Sequence, residues 1–385
     1  MLRNSKFDLV FSELFDTCAP GIWKLIGINN FVVVSATGMM PTHYNIIGMP
    51  TYASFMPGGL TPYSDKMTFM ERLTNLNIEL FLQLLGYKID TWYWKLFNEK
   101  YPGFPTLLQL YEERVALIMI NVNEFTETPR PTTNMVKYIG GSALRDPKPL
   151  TEDLSKLLDK NSVTVLFSMG SLVQSKDMPD WLKRDVTEAF ASFPNVTFIW
   201  KYESDNYNDE FRKHPNIHPM KWIPQIDLLG LTTLMRTSFT QMHLGKPMIV
   251  IPMFADQQLN SKNVIRNGIG IVLERHLLNK QTLTDALRQV IGNREISRKV
   301  ALVASLLDGR PKQYRQDIAR WAKIIIEHGQ MDHLKLYSRK LNWIQYYCID
   351  VIVFELSVVV LVISLIIWIV SRIFIYVCAK KLKTD

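Results

Sequence analysis

Cysteine is scarce: Cys18, Cys348 and Cys378 are the only three in 385 residues, too few and too scattered for a disulfide framework or a cysteine-based zinc site. No metal site is expected. A dense basic stripe is also missing. The net charge of +8 is dispersed, and the one close run, Lys380-Lys381-Leu382-Lys383, stands at the extreme C-terminus beside an apolar stretch. Positive charge in that place reads as the cytoplasmic flank of a membrane helix, not as a phosphate-binding surface, so nucleic acid is not an expected partner. Internal repeats and low-complexity segments are absent as well. The opening MLRNSKFDLVFSELFDTCAP has no signal-peptide core, because Asp8, Glu13 and Asp16 interrupt its apolar residues. It reads as a strand, FDLVFSE, entering a loop, and a chain that opens inside a strand is expected to have lost a segment upstream.

What the chain does have is apolar mass, 47% of its residues, enough to bury the cores of two domains. Short apolar runs at 7–11 and 31–35 punctuate the first sixty residues, and 60–120 reads as mostly helical. A polar, Pro-containing connector follows from Asn134 to Asn161. Beyond it, short strands (VTVLFS, VTFIWK, 218–222, MIVIP) alternate with helices, the pattern of a parallel sheet covered on both faces. Val351–Val370 is an apolar run with a single charge, Glu355. As a helix rising 1.5 Å per residue it spans about 30 Å, a bilayer's hydrocarbon core.

In such a sheet, ligands sit beyond the carboxyl ends of the strands. Three places there carry candidate chemistry. Gly170-Ser171 follows VTVLFS, where free backbone N–H groups and a hydroxyl suit a diphosphate, although Gly-Ser turns are ordinary loop chemistry. Trp222 and Gln225 follow the 218–222 strand; an indole face stacks on a planar base and the amide reaches a ribose or base edge, but a buried Trp before a helix fits equally well. Asp256-Gln257 follows MIVIP, where a carboxylate and an amide pair with vicinal sugar hydroxyls, or Asp256 serves as an N-cap.

Taken in order, FSMGSLV, WIPQIDLL and GKPMIVIPMFADQQLN resemble the donor-binding signature of the UDP-glycosyltransferases, in particular the animal UDP-glucuronosyltransferases. TYASFMPGG, SDKMTFMERL, NVNEFTETPRP, YIGG and PKPL look like further landmarks of that family. The resemblance implies an α/β fold of two Rossmann-like domains (GT-B), the N-terminal one incomplete, plus a single C-terminal transmembrane helix. The implied organisation is an acceptor-side domain over 1–145, a UDP-sugar domain over 146–330, a juxtamembrane segment over 331–350, a transmembrane helix over 351–371 and a basic tail over 372–385.

The function it implies is transfer of a sugar from UDP-glucuronate or UDP-glucose, without a further cofactor, to a hydroxyl of a small lipophilic acceptor, with inversion, as in detoxification. Carried over by position, Gly170, Ser171 and Lys201 border the diphosphate. Trp222 stacks on uracil beside Gln225, and Asp256 and Gln257 hold the sugar. Glu13 falls where the family places the acidic partner of its catalytic histidine. The tail, Lys381 to Asp385, is similar to endoplasmic-reticulum retrieval signals, and oligomers with itself or with relatives are a further implied partnership.

The sequence also departs from the pattern. The catalytic histidine is absent, and His43 reads as a loop or core residue rather than its replacement. Between WIPQIDLLG and GKPM the chain has LTTLMRTSFTQMHL in place of a strand ending in Thr-His-Gly-Gly. Arg236 or Thr240 falls where the family has a glutamate, and His243 does not restore the loop. A parallel crossover takes about a dozen residues, so the interval from Trp222 to Met248 is expected to have lost a strand. A second reading therefore stays open: a catalytically dead, membrane-anchored family member acting as a binding or regulatory partner.

Overall fold

The computed structural model describes residues 5–14, 18–170, 173–204, 211, 213–229, 233–235, 244–254 and 256–381. The chain forms two compact units, Met1–Leu334 and Lys335–Asp385.

The first unit opens with β1 (Val10–Glu13), α1 (Ala19–Leu25), β2 (Phe31–Ser35), α2 (Pro41–Ile47), α3 (Phe69–Lys100), α4 (Leu107–Arg114), β3 (Val115–Ile120) and β4 (Val136–Tyr138). The four strands make a parallel sheet in the order β1-β2-β3-β4. β3, VALIMI, is apolar and buried throughout, as a strand covered on both faces must be. The mostly helical expectation for 60–120 holds through α3 and α4 and fails only at β3, because six consecutive apolar residues carry no periodicity that separates a buried strand from a buried helix. The connector expected over 134–161 is likewise more ordered than its composition: β4 lies within it and completes the sheet, and α5 (Glu152–Leu158) follows.

The second half contains β5 (Val163–Phe167), α6 (Asp180–Ala191), β6 (Val196–Lys201), β7 (Ile217–Met220), α7 (Gln225–Leu229), β8 (Thr233–Met235), β9 (Met248–Val250), α8 (Gln257–Asn267), β10 (Gly270–Val272), α9 (Lys280–Gly292), α10 (Arg294–Leu307) and α11 (Arg310–His328). Its sheet runs β7-β6-β5-β8, all parallel, with β9 beside β8 and β10 paired to β9. The order reverses between β5 and β8, the switch point at which such sheets open a crevice. The strand expected to be missing is present as the three-residue β8 beside β5. It fits because the preceding crossover is made by a helix of only five residues, α7. The 236–243 stretch, with Arg236, Thr240 and His243, lies outside the described residues.

Beneath this sheet sits an aromatic core. Phe190 and Phe198 stack at 4.1 Å, and Trp200, fully buried, meets Phe167 and Phe211 edge-on at 5.0 Å each. Burying each such ring contributes about 1.5–3 kcal/mol, which anchors strands only three to six residues long. α11 does not stay with this half, although the sequence boundary at 330 assigns it there. Its Ile325 packs with Val32, Ala116, Leu117 and Met119 of the first sheet. Lys137 of β4 lies 4.5 Å above the Trp321 ring.

In the second unit, α12 (Trp343–Tyr346) precedes α13 (Ile349–Lys381). Ile349–Ile375 of α13 is long and apolar enough to cross a membrane.

Candidate functional site

β5, β6 and β7 are parallel, so the segments leaving their carboxyl ends share one rim, and β9 lies next to this sheet, beside β8. After β5, Gly170 turns the backbone with φ +111°, a conformation that disfavours any side chain. Lys201, the last residue of β6, donates from Nζ to Gly170 O at 2.7 Å and lies 3.3 Å from Glu203 Oε1. Glu203 also accepts the Ser175 N–H at 2.7 Å through Oε2. The lysine therefore pins the β5 turn and is in turn held by a carboxylate. This triad joins two of the predicted residues; Glu203 was missed, having no motif of its own. Ser171 lies outside the described residues.

After β7, Trp222 is 77% exposed. That removes the buried-tryptophan reading and leaves a free indole face. Gln225 opens α7 two residues after the buried Ile223. The loop is clamped from the other side: Arg145 grips Asp227 with two bonds of 2.6 and 2.7 Å, and the Lys148 N–H donates to the same carboxylate at 2.7 Å. The guanidinium first, and then that amide, hold the Asp227 carboxyl down at about 2. Sequence reasoning passed over this clamp because its partners lie 82 residues apart.

After β9, Asp256 occupies the N-cap position of α8 but makes no capping bond. Its Oδ2 accepts from Asn260 Nδ2 at 2.9 Å. Gln257 Oε1 accepts the Met253 N–H at 2.8 Å, which fixes the β9–α8 turn. Asn260 is a neighbour that helical i,i+4 spacing could have identified. β9 stands beside β8, at the opposite end of the strand order from β7.

The first sheet's rim differs. Glu13 ends β1, and its Oε2 accepts the Ala36 N–H at 3.0 Å. Burial raises its pKa, and that amide opposes the rise. His43 is 1% exposed, with Nδ1 accepting the Met40 N–H at 2.9 Å. Burial lowers its pKa to about 4, so it is a neutral core group at the start of α2, as a core histidine should be.

Comparison with known proteins identifies the family and the fold. The family model "UDP-glucoronosyl and UDP-glucosyl transferase" matches residues 1–384. UDP-glucuronosyltransferase 3A1 of Xenopus laevis is 28% identical over 92% of this chain and 69% of its own length. UDP-glucuronosyltransferase 1A7 of Mus musculus is 28% identical over 98% and 71%. Among solved structures, a glycotransferase of kitacinnamycin superposes with a TM-score of 0.56 at 16% identity, covering 82% of this chain and 76% of the other. The calicheamicin glycosyltransferase CalG4 gives 0.51 at 14%, covering 83% and 76%. With a family match over nearly every residue and GT-B neighbours for its two sheets, the chain belongs to the UDP-glucuronosyl and UDP-glucosyl transferase family.

Proposed function

We propose that the chain binds a UDP-sugar along the rim of its second sheet and serves transfer of that sugar to a hydroxyl of a small lipophilic acceptor. What supports this reading is the exposed indole of Trp222 after β7 together with the lysine-pinned turn after β5 on the same rim, with an acid–amide pair opening α8. Trp222 stacks on the uracil, and Gln225 reaches its ribose or base edge. Gly170, Ser171 and Lys201 border the diphosphate; the lysine balances its charge while holding the turn. Asp256 and Gln257 take the hydroxyls of glucuronate or glucose. In the inverting reaction, the acceptor oxygen loses its proton to a base, attacks the anomeric carbon from the face opposite the diphosphate, and UDP departs with the bonding pair. By the family resemblance, Glu13 takes the part of the acid that orients such a base on the acceptor side. α13 anchors the chain in a membrane, and the Lys381–Asp385 tail supports the endoplasmic reticulum as its location.

Thermal unfolding of the purified full chain tests the donor half directly. A ligand selective for the folded state stabilises it by about 2.7 kcal/mol at a hundred times Kd, so UDP should raise the melting temperature in a concentration-dependent way. No shift with UDP, UDP-glucose or UDP-glucuronate would end this reading. Transfer itself is read by incubating the chain with each UDP-sugar and a panel of phenols and steroids.

A further inference from the structure

α8 carries Asp256 and Gln257 at its start, and the same helix touches the first half of the molecule at its other end. Asp256, Asn260, Asn263 and Asn267 recur at spacings of four, three and four, which places them along one helical face. The stripe runs about 17 Å along the axis. At its far end Asn263, 4% exposed, donates from Nδ2 to Glu127 Oε2 at 3.1 Å and accepts from Thr128 Oγ1 at 2.8 Å. Asn267 Nδ2 donates to Thr126 O at 2.9 Å, and Arg266 donates to Glu127 O at 3.2 Å.

Glu127 does not stop there. Buried to 5% exposure, it pairs through Oε1 with Arg130 at 2.8 Å. Arg130 in turn donates to Met39 O at 3.0 Å. A Cβ placed on Gly38 would lie 3.4 Å from Glu127 Oε1, so the 36–39 loop rests against this carboxylate. The opposite end of that loop is the Ala36 N–H held by Glu13. One buried polar network thus joins the loop beside Glu13 to the helix that presents Asp256. Buried polar groups are costly unless every partner is placed, so the network fixes one relative setting of helix and loop.

We propose that Glu127, Thr128 and Asn263 are positioning residues: they hold α8 against the acceptor-side loop and thereby set the aim of Asp256 and Gln257 at the sugar of the donor. This rests on the donor-site reading above. It makes a separable claim, because among the described residues the β5–β7 end of the rim, with Gly170, Lys201 and Trp222, receives none of these bonds. Loosening the network should weaken recognition of the sugar while leaving that of UDP intact.

The test is calorimetric titration of the full chain in detergent with UDP and with UDP-glucose or UDP-glucuronate. Thr128→Val is isosteric and removes only the hydroxyl; Asn263→Ala removes both side-chain bonds. A displacement of about 1 Å at a reacting group can cost a hundredfold, so both variants should lose about tenfold or more in UDP-sugar affinity while UDP affinity moves less than about twofold. Thr128→Ser, which keeps the hydroxyl, should restore the wild-type ratio. Equal losses for UDP and UDP-sugar, or no loss in either, would show a merely structural network and overturn the proposal. Should Asn263→Ala fail to fold, the Thr128 pair decides alone. A wild-type chain that binds neither ligand refutes the donor-site reading instead, and the positioning role with it.

Discussion

The rims of the two sheets use similar chemistry to opposite ends. In the second half, Trp222 stands free and Gln257 and Lys201 spend one bond each to stiffen the turns that present them. In the first half, Glu13 is tied to a backbone amide, and His43 is sunk in the core as a neutral cap. The second rim keeps its indole exposed on a braced loop, whereas the first rim buries its histidine.

The sharpest way to break this comparison is to remove what braces the second rim. Phe190→Ala, which deletes a ring buried between Phe167, Phe198 and Trp200, should cost about 3–5 kcal/mol of stability and abolish the UDP-dependent melting shift. Denaturant unfolding with and without UDP measures both. Next comes the first rim's histidine. Its folded pKa of about 4 lies below the ordinary 6.5, so the unfolded chain binds the proton more readily. Stability is then full above about pH 6.5 and falls as the pH drops towards 4, by about 3 kcal/mol in total. His43→Met should flatten that part of the stability–pH profile; an unchanged slope would contradict a buried neutral imidazole.

A smaller effect, and the one that separates the rims most cleanly, is expected of Trp222→Ala. Stacking on a base is worth about 1–3 kcal/mol, so UDP affinity should fall about fivefold or more while the ligand-free melting temperature stays put. A loss of stability instead would make the indole structural. The smallest change concerns Asp227. Its carboxyl, held at about 2, lends stability that is complete above its unfolded value near 4 and fades as the pH falls through 2. Asp227→Asn should remove this acid-range dependence, checked by unfolding between pH 4 and 2, and loosen the Trp222 loop enough to weaken UDP binding slightly.

Much of the second half was readable because its signals are local. The strand runs VTVLFS and VTFIWK and the membrane-length run at 351–370 each declare themselves within a few residues. β3 and β8 were not readable for the reason that short apolar runs have no distinguishing period, and a three-residue strand exists only because β5 offers it hydrogen bonds. Similarly, α11 reads as a helix in isolation, yet nothing in its own periodicity says that it crosses back to the first sheet.

The amino-acid sequence by itself determined the alternation of elements, the apolar C-terminal helix and the residue types at each strand's end, since all of these follow from patterns a few residues long. Tertiary structure alone decided that Trp222 is exposed, that His43 is neutral, that Glu203 holds Lys201, and that Glu127 meets Asn263 across 136 residues. Exposure, proton affinity and long-range hydrogen bonds are properties of the surroundings, and those exist only once the chain has folded.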